Sequence, residues 1–393
     1  ALLAWRKDFP ILARTTYLIS NSLGAMPAAT FDSLREYGEV WSGRGVRAWA
    51  EGWWELPVKL GDSIGAIIGA PPGSTSMHQN VTLMQAIVLS CFDFSGSKTG
   101  IVYTDMQFPS VHYLYSQMKP AHAKLVLVKS PDGITVPTDR VVDAIDDSTL
   151  LVPISHVLFR SAYIQDVQAI IEKAHRVGAY VVLDAYQSAG TVPFDVTALG
   201  VDFVLGGALK WLCGGPGACF LYVRPDLARK LRPRLTGWQA HPRPFEFEVG
   251  DMEWRDDGFR FLNGTPNIPA LYAARAGIDI IQAVGVDRIR EKSMRQTARL
   301  MATAEAAGYR VTAPRDPERR GGTVAFDCPN AYEVSRELLA RDILVDYRRG
   351  AGIRVSPHFY TTDDECDRAV SEIGIILGEG SWERHRTRTS PVT

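Results

Sequence analysis

The most constraining feature of the sequence is an alternation of short apolar runs with helix-like segments between residues 65 and 225. The amphipathic stretch 167–177 separates two such runs, which is typical of strand–helix–strand units. Short apolar strands that alternate with helices favour a mostly parallel sheet, buried on both faces. The runs are Ile101–Tyr103, Leu125–Val128, Leu150–Ile154, Tyr180–Leu183 and Phe203–Leu205. We therefore expect an α/β fold with a mostly parallel sheet in a large domain.

The pattern changes after this region. Residues 220–223 form another apolar run soon after 203–205, so we expect that strand to return antiparallel. Residues 232–264 are rich in proline, aromatic and charged residues and predict irregular loops, and residues 268–307 follow a long helical pattern. Three further strands and a helix after Asp363 predict a smaller α+β domain. The three strands are Thr323–Phe326, Ile343–Tyr347 and Ile353–Ser356.

These elements suggest three parts of the chain. Residues 1–55 are expected to be an N-terminal segment that packs on the small domain. Residues 56–265 are expected to form the large domain. Residues 266–393 are expected to supply a long connecting helix and the small C-terminal domain.

Composition excludes several classes of protein. The chain has 393 residues, 46% of them hydrophobic and 22% charged, and a formal net charge of −1, so no basic field favours nucleic acid. No apolar run is long enough to span a bilayer, and Arg6, Lys7 and Asp8 interrupt any signal-peptide core, so we expect a cytoplasmic protein with no membrane partner. The five scattered cysteines predict thiols rather than disulfides, and without a CxxC or HExxH motif we expect no metal site.

Two charged residues follow neighbouring predicted strands. Asp184 ends the run Tyr180–Leu183, and Lys210 lies a few residues beyond Phe203–Leu205. Ligands bind beyond the carboxyl ends of parallel strands, so the pair marks a candidate site. A plain ion pair at the edge of the sheet is the alternative interpretation.

The segments around these two residues resemble the class V aminotransferase superfamily of fold-type I pyridoxal-phosphate (PLP) enzymes, and most of all kynureninase. Further short motifs occur in the order of that family along most of the chain. The matching segments are Asn21–Gly24, Phe108–Ser110, Ser155–Val157, Asp184–Gly190, Asp202–Phe203, Gly206–Trp211, Gly214–Gly217, Gly237–Trp238, Gly264–Pro266 and Arg354–Pro357.

The resemblance gives the central residues a role. Lys210 would form a Schiff base with the PLP aldehyde and then move a proton at the α-carbon of the substrate. Asp184 would keep the pyridine nitrogen protonated, because an opposite charge favours the charged form. The protonated ring is the electron sink that lets a bond at the α-carbon break. Gln187 would hydrogen-bond the phenolate oxygen of the ring, and Phe108 would stack on the ring.

The same resemblance implies a phosphate site. Val81 and Thr82 open the apolar helix predicted at 83–89, and a helix N-terminus offers free N–H groups to an anion. Thr82 matches the hydroxyl that binds phosphate in the family, Val81 would contribute its backbone, and the Trp238 indole N–H would reach the phosphate. Thr265 would come from a partner subunit, which implies a homodimer with shared sites. For Trp238 alone, an ordinary packed aromatic is the alternative.

The amino-acid substrate requires a carboxylate partner. Arg354 lies in a segment that resembles the carboxylate-binding stretch of the superfamily, and a guanidinium can bind a carboxylate through two bonds. Asn21 would join the substrate site by the same resemblance. A surface ion pair is the alternative for Arg354.

Four departures from kynureninase lie near the site. Leu209 replaces a tyrosine that precedes the Schiff-base lysine and helps both phosphate binding and proton transfer. Val111 replaces an aspartate, Gln187 replaces a histidine, and residues 42–46 hold no counterpart of the histidine that recognises the aromatic substrate. These changes leave the PLP residues in place and alter the groups that would bind or protonate kynurenine. We therefore expect the scaffold of kynureninase with a different substrate.

The leading hypothesis is a PLP enzyme that forms an external aldimine with an L-α-amino acid. Lys210 would remove the α-proton and a β-substituent would leave, as in a C–S or C–C lyase acting on a functionalised amino acid in specialised metabolism. The same residues would also allow transamination, epimerisation, decarboxylation coupled to oxidative deamination, or true kynureninase activity.

Two alternatives lie outside this chemistry. One is a dimeric binding protein on a retired PLP scaffold, which the joint presence of Lys210, Asp184 and Arg354 disfavours. The other is an oxidoreductase with a nucleotide site. That enzyme would need a GxGxxG motif between a strand and a helix, and none is placed so.

Overall fold

The computed structural model describes residues 2–386. The helices are α1 (Ala29–Arg44), α2 (Leu56–Ile68), α3 (Val81–Ser90), α4 (Pro109–Met118), α5 (Thr138–Ala144), α6 (Val167–Arg176), α7 (Val196–Leu199), α8 (Pro225–Ala228), α9 (Ile268–Val284), α10 (Val286–Ala306), α11 (Ala331–Ala340) and α12 (Asp363–Glu379). Shorter helical turns lie at Leu2–Asp8, Pro10–Ala13, Gly45–Arg47, Trp49–Trp53, Trp238–Ala240, Pro244–Glu246, Gly258–Phe261, Pro317–Arg319 and Ser381–His385.

The strands form three sheets. They are β1 (Thr16–Tyr17), β2 (Thr75–His78), β3 (Gly100–Thr104), β4 (Lys124–Val128), β5 (Thr149–Ser155), β6 (Tyr180–Asp184), β7 (Phe203–Gly207), β8 (Cys219–Val223), β9 (Arg310–Val311), β10 (Val324–Asp327), β11 (Ile343–Leu344), β12 (Asp346–Arg348) and β13 (Gly352–Val355). The central sheet has the order β2-β8-β7-β6-β5-β3-β4.

The central sheet confirms the predicted α/β class. Strands β3 to β7 pair in parallel wherever they are neighbours, and β8 returns antiparallel to β7, as the short connection predicted. Strands β6 and β7 are adjacent, and Asp184 lies opposite Leu205. The carboxyl ends that precede Asp184 and Lys210 therefore meet at one edge.

The inner strands β3 and β5 to β8 are buried on both faces, which explains why they are largely apolar, whereas the edge strand β4 is mostly exposed. Successive side chains of a strand point to opposite faces. Val181 and Leu183 pack in the same apolar cluster as Ile170 of α6, whereas Val182, between them, packs in the cluster that contains Ile87 of α3. A helix layer on each side therefore covers one half of the side chains of each inner strand.

The structure divides two elements that the sequence predicted as single. The long helix expected at 268–307 is two helices, α9 and α10, because Gly285 between them has φ +85°, which a right-handed helix cannot continue through. The single strand expected at 343–347 is likewise divided into two strands, β11 and β12. Before Val345 the chain pairs as β11 with β1, and after it the chain pairs as β12 with β13 in an antiparallel sheet of order β12-β13-β10-β9.

The first residues contact the C-terminal part of the chain. Thr16 pairs with Ile343, and Arg6 forms an ion pair with Glu365 at 2.8 Å. Helix α1 instead packs against α9. None of the helices between residues 2 and 386 combines the length and apolar character that a membrane span requires.

Candidate active site

A cavity of about 320 Å³ opens at the edge where the parallel strands end. Phe108 follows β3, Ser155 ends β5, Asp184 ends β6 and Lys210 follows β7, and all four line this cavity. Because parallel strands direct their carboxyl ends to one edge, residues that are far apart in sequence meet there.

Burial shifts the two charged groups of the cavity in opposite directions. It lowers the pKa of the Lys210 amine to about 8, although the negative charge of Asp184 opposes that shift. It raises the pKa of the Asp184 carboxyl to about 6, against the hydrogen bond that the Tyr186 N–H donates at 2.8 Å. Lys210 therefore loses its proton at a lower pH than an ordinary lysine, and Asp184 is still mostly a carboxylate at pH 7.

Two aromatic rings flank the lysine amine. Lys210 Nζ lies 4.4 Å from the centroid of the Tyr186 ring and 5.9 Å from that of Phe108. Phe108 is half exposed and packs edge-on against Phe159, with ring centroids 5.3 Å apart. The amine therefore has two aromatic neighbours, which suit a flat ring bound next to it.

Gln187 is held in place from both ends of its amide. Its Nε2 donates to the Asn21 carbonyl and its Oε1 accepts from Trp211 Nε1, each at 3.0 Å. An amide nitrogen has two hydrogens, so one of them remains for a group in the cavity. The predicted role of Gln187 as a donor is compatible with this geometry.

The N-terminus of α3 forms another part of the wall. Asn80 caps the helix, since its side-chain oxygen accepts from Leu83 N–H at 2.9 Å, and Val81 and Thr82 line the cavity. The first backbone N–H groups of a helix lack partners within the helix and favour an anion. The residues predicted for the phosphate therefore reach the same cavity as Lys210.

Arg354 lies outside the cavity wall, in a buried ion pair. Its Nε donates to Asp346 Oδ1 at 2.7 Å, its Nη2 pairs with Asp346 Oδ2, and its Nη1 donates to the Phe159 carbonyl. The Asn21 amide fits its surroundings when its oxygen accepts from Arg354 Nη2 at 3.1 Å and its nitrogen donates to Ser356 Oγ at 2.8 Å. The two predicted substrate residues therefore contact each other, and Phe159 separates Arg354 from the cavity.

Trp238 and Thr265 do not line this cavity within one chain. They lie on an open aromatic groove together with Trp54, Phe245 and Phe247. The rings of Trp238 and Trp54 are 5.0 Å apart, and Trp238 remains 37% exposed. The predicted contribution of Thr265 from a partner subunit stays a prediction, and so does that of Trp238.

Sequence reasoning assigned no role to three residues that shape the site. Tyr186 stands beside Asp184, and its place within that motif was the available signal. Phe159 follows the motif Ser155–Val157, and no periodicity marks it. Asp346 lies directly opposite Arg354 in the β12–β13 pairing, a neighbour that only the strand register reveals.

A family model described as aminotransferase class-V matches residues 16–368. The chain belongs to the class V aminotransferase family. Many curated proteins match this chain, and two that cover nearly its full length serve as examples. An uncharacterised aminotransferase, YcbU, of Bacillus subtilis is 32% identical over 371 residues, which cover 94% of this chain and 96% of that protein. A kynureninase of Pseudomonas fluorescens is 31% identical, with 96% of this chain and 92% of the relative covered.

Solved structures share the fold of this chain. The cystine C–S lyase C-DES, in complex with cysteine persulfide, superposes with a TM-score of 0.83 at 21% identity, covering 93% of this chain and 98% of that one. A cysteine desulfurase of Thermococcus onnurineus superposes with a TM-score of 0.82 at 21% identity, covering 96% and 98%. The fold-type I architecture is thereby confirmed, and the chain is a PLP-dependent enzyme.

The donor set of the cavity fits PLP. The cavity offers an amine with a lowered pKa for the aldehyde, a buried carboxylate for the pyridinium nitrogen, and a capped helix N-terminus for the phosphate. Lys210, Asp184, and the pair Val81 and Thr82 would hold these three parts. PLP supplies an electron sink that weakens the bonds at the α-carbon of an amino acid.

Proposed function

We propose that this enzyme is a lyase that removes the α-proton of an L-α-amino acid and eliminates a β-substituent. The observation that carries the proposal is the set of titratable groups on the cavity wall, which are Asp184, Tyr186, Lys210 and Cys219. Burial raises the pKa of the Tyr186 hydroxyl, and it raises the pKa of the Cys219 thiol to about 11, so both keep their protons near pH 7. Asp184, whose pKa burial raises to about 6, would be paired with the pyridinium nitrogen, so Lys210 is the group left to exchange a proton with the substrate.

This wall favours a leaving group that needs no acid. An elimination requires one base for the α-proton, and the bonding electron pair departs with the β-substituent. A thiol has an ordinary pKa of about 8.5, so a thiolate can leave without being protonated, whereas a carbon leaving group needs a proton from a nearby acid. A sulfur substituent is therefore the better match to Lys210 acting alone, and the proposed reaction is C–S cleavage.

The departures from kynureninase support this choice because they face the cavity. Leu209 and Val111 both line it, so a leucine and a valine stand where kynureninases have a tyrosine and an aspartate. Val157 and Phe159 extend the apolar surface. This side of the cavity offers packing to an uncharged substituent and no proton to a departing carbon.

We infer that Arg354 binds the substrate carboxylate after Phe159 moves. Its Nη1 donates to the Phe159 carbonyl, and a substrate carboxylate would take over that donor. Asp346 and Asn21 would keep the guanidinium in place. A homodimer would bring Thr265 and the aromatic groove around Trp238 to the site of the partner, and this assembly is part of the proposal.

The test uses purified enzyme saturated with PLP. Borohydride reduction followed by peptide mass spectrometry should find the cofactor on Lys210, and Lys210→Ala should abolish this adduct. Cysteine S-conjugates should then release equal amounts of thiol, pyruvate and ammonia. The proposed reaction is wrong if kynurenine is instead turned over rapidly to alanine.

Other products would identify the alternatives on the same scaffold. A keto acid formed together with the pyridoxamine form of the cofactor would show transamination, which the relative YcbU makes a reasonable second candidate. Loss of optical activity would show epimerisation, and release of carbon dioxide would show decarboxylation. Any of these without pyruvate would overturn the elimination. A protein that retains PLP but transforms no amino acid would indicate a binding role.

A further inference from the structure

Tyr186 occupies space that Gly207 leaves open. A Cβ atom added to Gly207 would lie 2.5 Å from Tyr186 Cζ and 2.5 Å from its hydroxyl oxygen, and 2.9 Å from Cys219 Sγ. Contacts that short do not occur without displacement, so the large ring at 186 requires the missing side chain at 207. Strands β6 and β7 are neighbours, which brings the two positions together.

The Tyr186 hydroxyl lies beside the N-terminus of α3. Lys210 Nζ lies over the face of the ring, 4.4 Å from its centroid. The hydroxyl, at the end of the ring, lies 3.9 Å from Cys219 Sγ. The backbone N–H of Val81, the first residue of α3, hydrogen-bonds the same sulfur. The hydroxyl therefore points to the part of the cavity where the phosphate site is predicted.

The hydroxyl is a donor with a weak partner. Burial raises the pKa of Tyr186, so the phenol keeps its proton. Sulfur is a weak acceptor, and a contact of 3.9 Å lies near the upper limit for a hydrogen bond to it. A phosphate oxygen would be a much stronger acceptor for this partly buried hydroxyl than the sulfur, because hydrogen bonds to charged acceptors are the strong ones.

We propose that Tyr186 donates its hydroxyl to the cofactor phosphate and so replaces the tyrosine that kynureninases carry immediately before the lysine. That position is Leu209 in this chain, which has no polar group to offer. The hydroxyl would thus come from the turn after β6 instead of the residue before Lys210, and Gly207 provides the room. This inference rests on the proposed placement of PLP in the cavity.

The decisive measurement compares PLP with pyridoxal, which lacks the phosphate. Tyr186→Phe keeps the ring and removes only the hydroxyl. The dissociation constant of PLP from the apo-enzyme, measured by fluorescence titration, should rise about tenfold or more, which is the effect of one hydrogen bond to a charged group. The dissociation constant of pyridoxal should stay within twofold. Equal weakening of both ligands, or of neither, overturns the proposal.

Tyr222→Phe is the matched control. Tyr222 is also a buried tyrosine, 1% exposed, and it lies on β8 like Cys219. Its ring packs in the apolar cluster on the opposite face of the sheet from Cys219. Removing its hydroxyl should leave both dissociation constants unchanged, and a tenfold effect there would show that the assay reports general damage to the fold.

A rescue variant tests the replacement directly. Leu209→Tyr in the Tyr186→Phe background should recover most of the lost PLP affinity and restore the phosphorus NMR shift of the bound cofactor. Failure of every variant, wild type included, to give a borohydride-trapped adduct on Lys210 would reject the PLP site itself. A normal adduct together with unchanged PLP affinity in Tyr186→Phe would reject only the role of Tyr186.

Discussion

Asp346→Asn should destabilise the protein strongly, because it leaves the Arg354 guanidinium buried without its carboxylate. The side chains of Arg354 and Asp346 are 2% and 0% exposed, and Arg354 Nε lies 2.7 Å from Asp346 Oδ1. Arg348, 3.4 Å from Asp346 Oδ2, loses the same partner. Removing one member of a buried pair costs about 3–5 kcal/mol. That is a large part of the roughly 5–15 kcal/mol by which folded proteins are stable.

Urea unfolding of the variant should therefore show a much lower midpoint at an unchanged slope. Asp327→Asn is the matched control, because Asp327 pairs with Arg310 across the same antiparallel sheet but in solvent, where the side chains are 44% and 74% exposed. An exposed pair contributes about 0–1 kcal/mol. If the two variants lose the same stability, burial is not what makes the Arg354 pair sensitive.

A double variant separates stability from function at this pair. Asp346→Leu with Arg354→Met replaces both charges by apolar groups and should recover most of the stability that Asp346→Asn loses, since paired replacement of buried charges is often neutral or favourable. It should bind PLP but not the amino-acid substrate. A double variant that binds substrate normally would refute the role proposed for Arg354.

Three further predictions concern Lys210 and its surroundings. The rate at which apo-enzyme takes up PLP should rise with pH to a plateau above about 8, because the neutral amine reacts and burial lowers the pKa of Lys210; a midpoint near the ordinary 10.5 in stopped-flow traces would contradict this. Asp184→Asn should stabilise the apo protein at pH 7 by up to about 3 kcal/mol and weaken PLP binding. Burial raises the pKa of this carboxyl to about 6, so the folded wild type loses stability as pH rises from about 4 to 6, and the amide does not. A lower thermal midpoint for apo Asp184→Asn than for the apo wild type would disprove this. Gly24→Ala should abolish PLP binding or folding, because its Cβ would lie 2.1 Å from the Lys210 carbonyl oxygen. Gly38→Ala in α1 is the control: its Cβ meets no atom within 4 Å, so it should raise the free energy of unfolding by about 0.5–1 kcal/mol.

The sequence predicted what depends on strand order and failed where a contact depends on strand register or on the volume of two side chains. Asp184 and Lys210 could be placed at one edge of the sheet, because the apolar runs predict parallel strands and strands that are consecutive in the chain, such as β6 and β7, are usually neighbours. The ion pair between Asp346 and Arg354 depends on the register of β12 and β13. The packing of the Tyr186 ring depends on the space that the missing side chain of Gly207 leaves. Neither leaves a periodic pattern, because each is a contact between two side chains rather than a property of a segment. The division of the expected strand 343–347 at Val345 was also not predicted, since one apolar run can contain two strands that belong to different sheets.

The directions of the two pKa shifts argue against the plain ion pair that the sequence left open for Asp184 and Lys210. In an ion pair that stabilises the fold, the partner lowers the pKa of the acid and raises that of the base. Here burial raises the pKa of Asp184 and lowers that of Lys210, so the loss of hydration outweighs their mutual attraction. Burial therefore penalises the charged form of each group in the apo protein. A positively charged pyridinium beside Asp184 and a covalent bond at Lys210 would remove both penalties, so PLP should raise the thermal midpoint of the wild type more than that of Asp184→Asn.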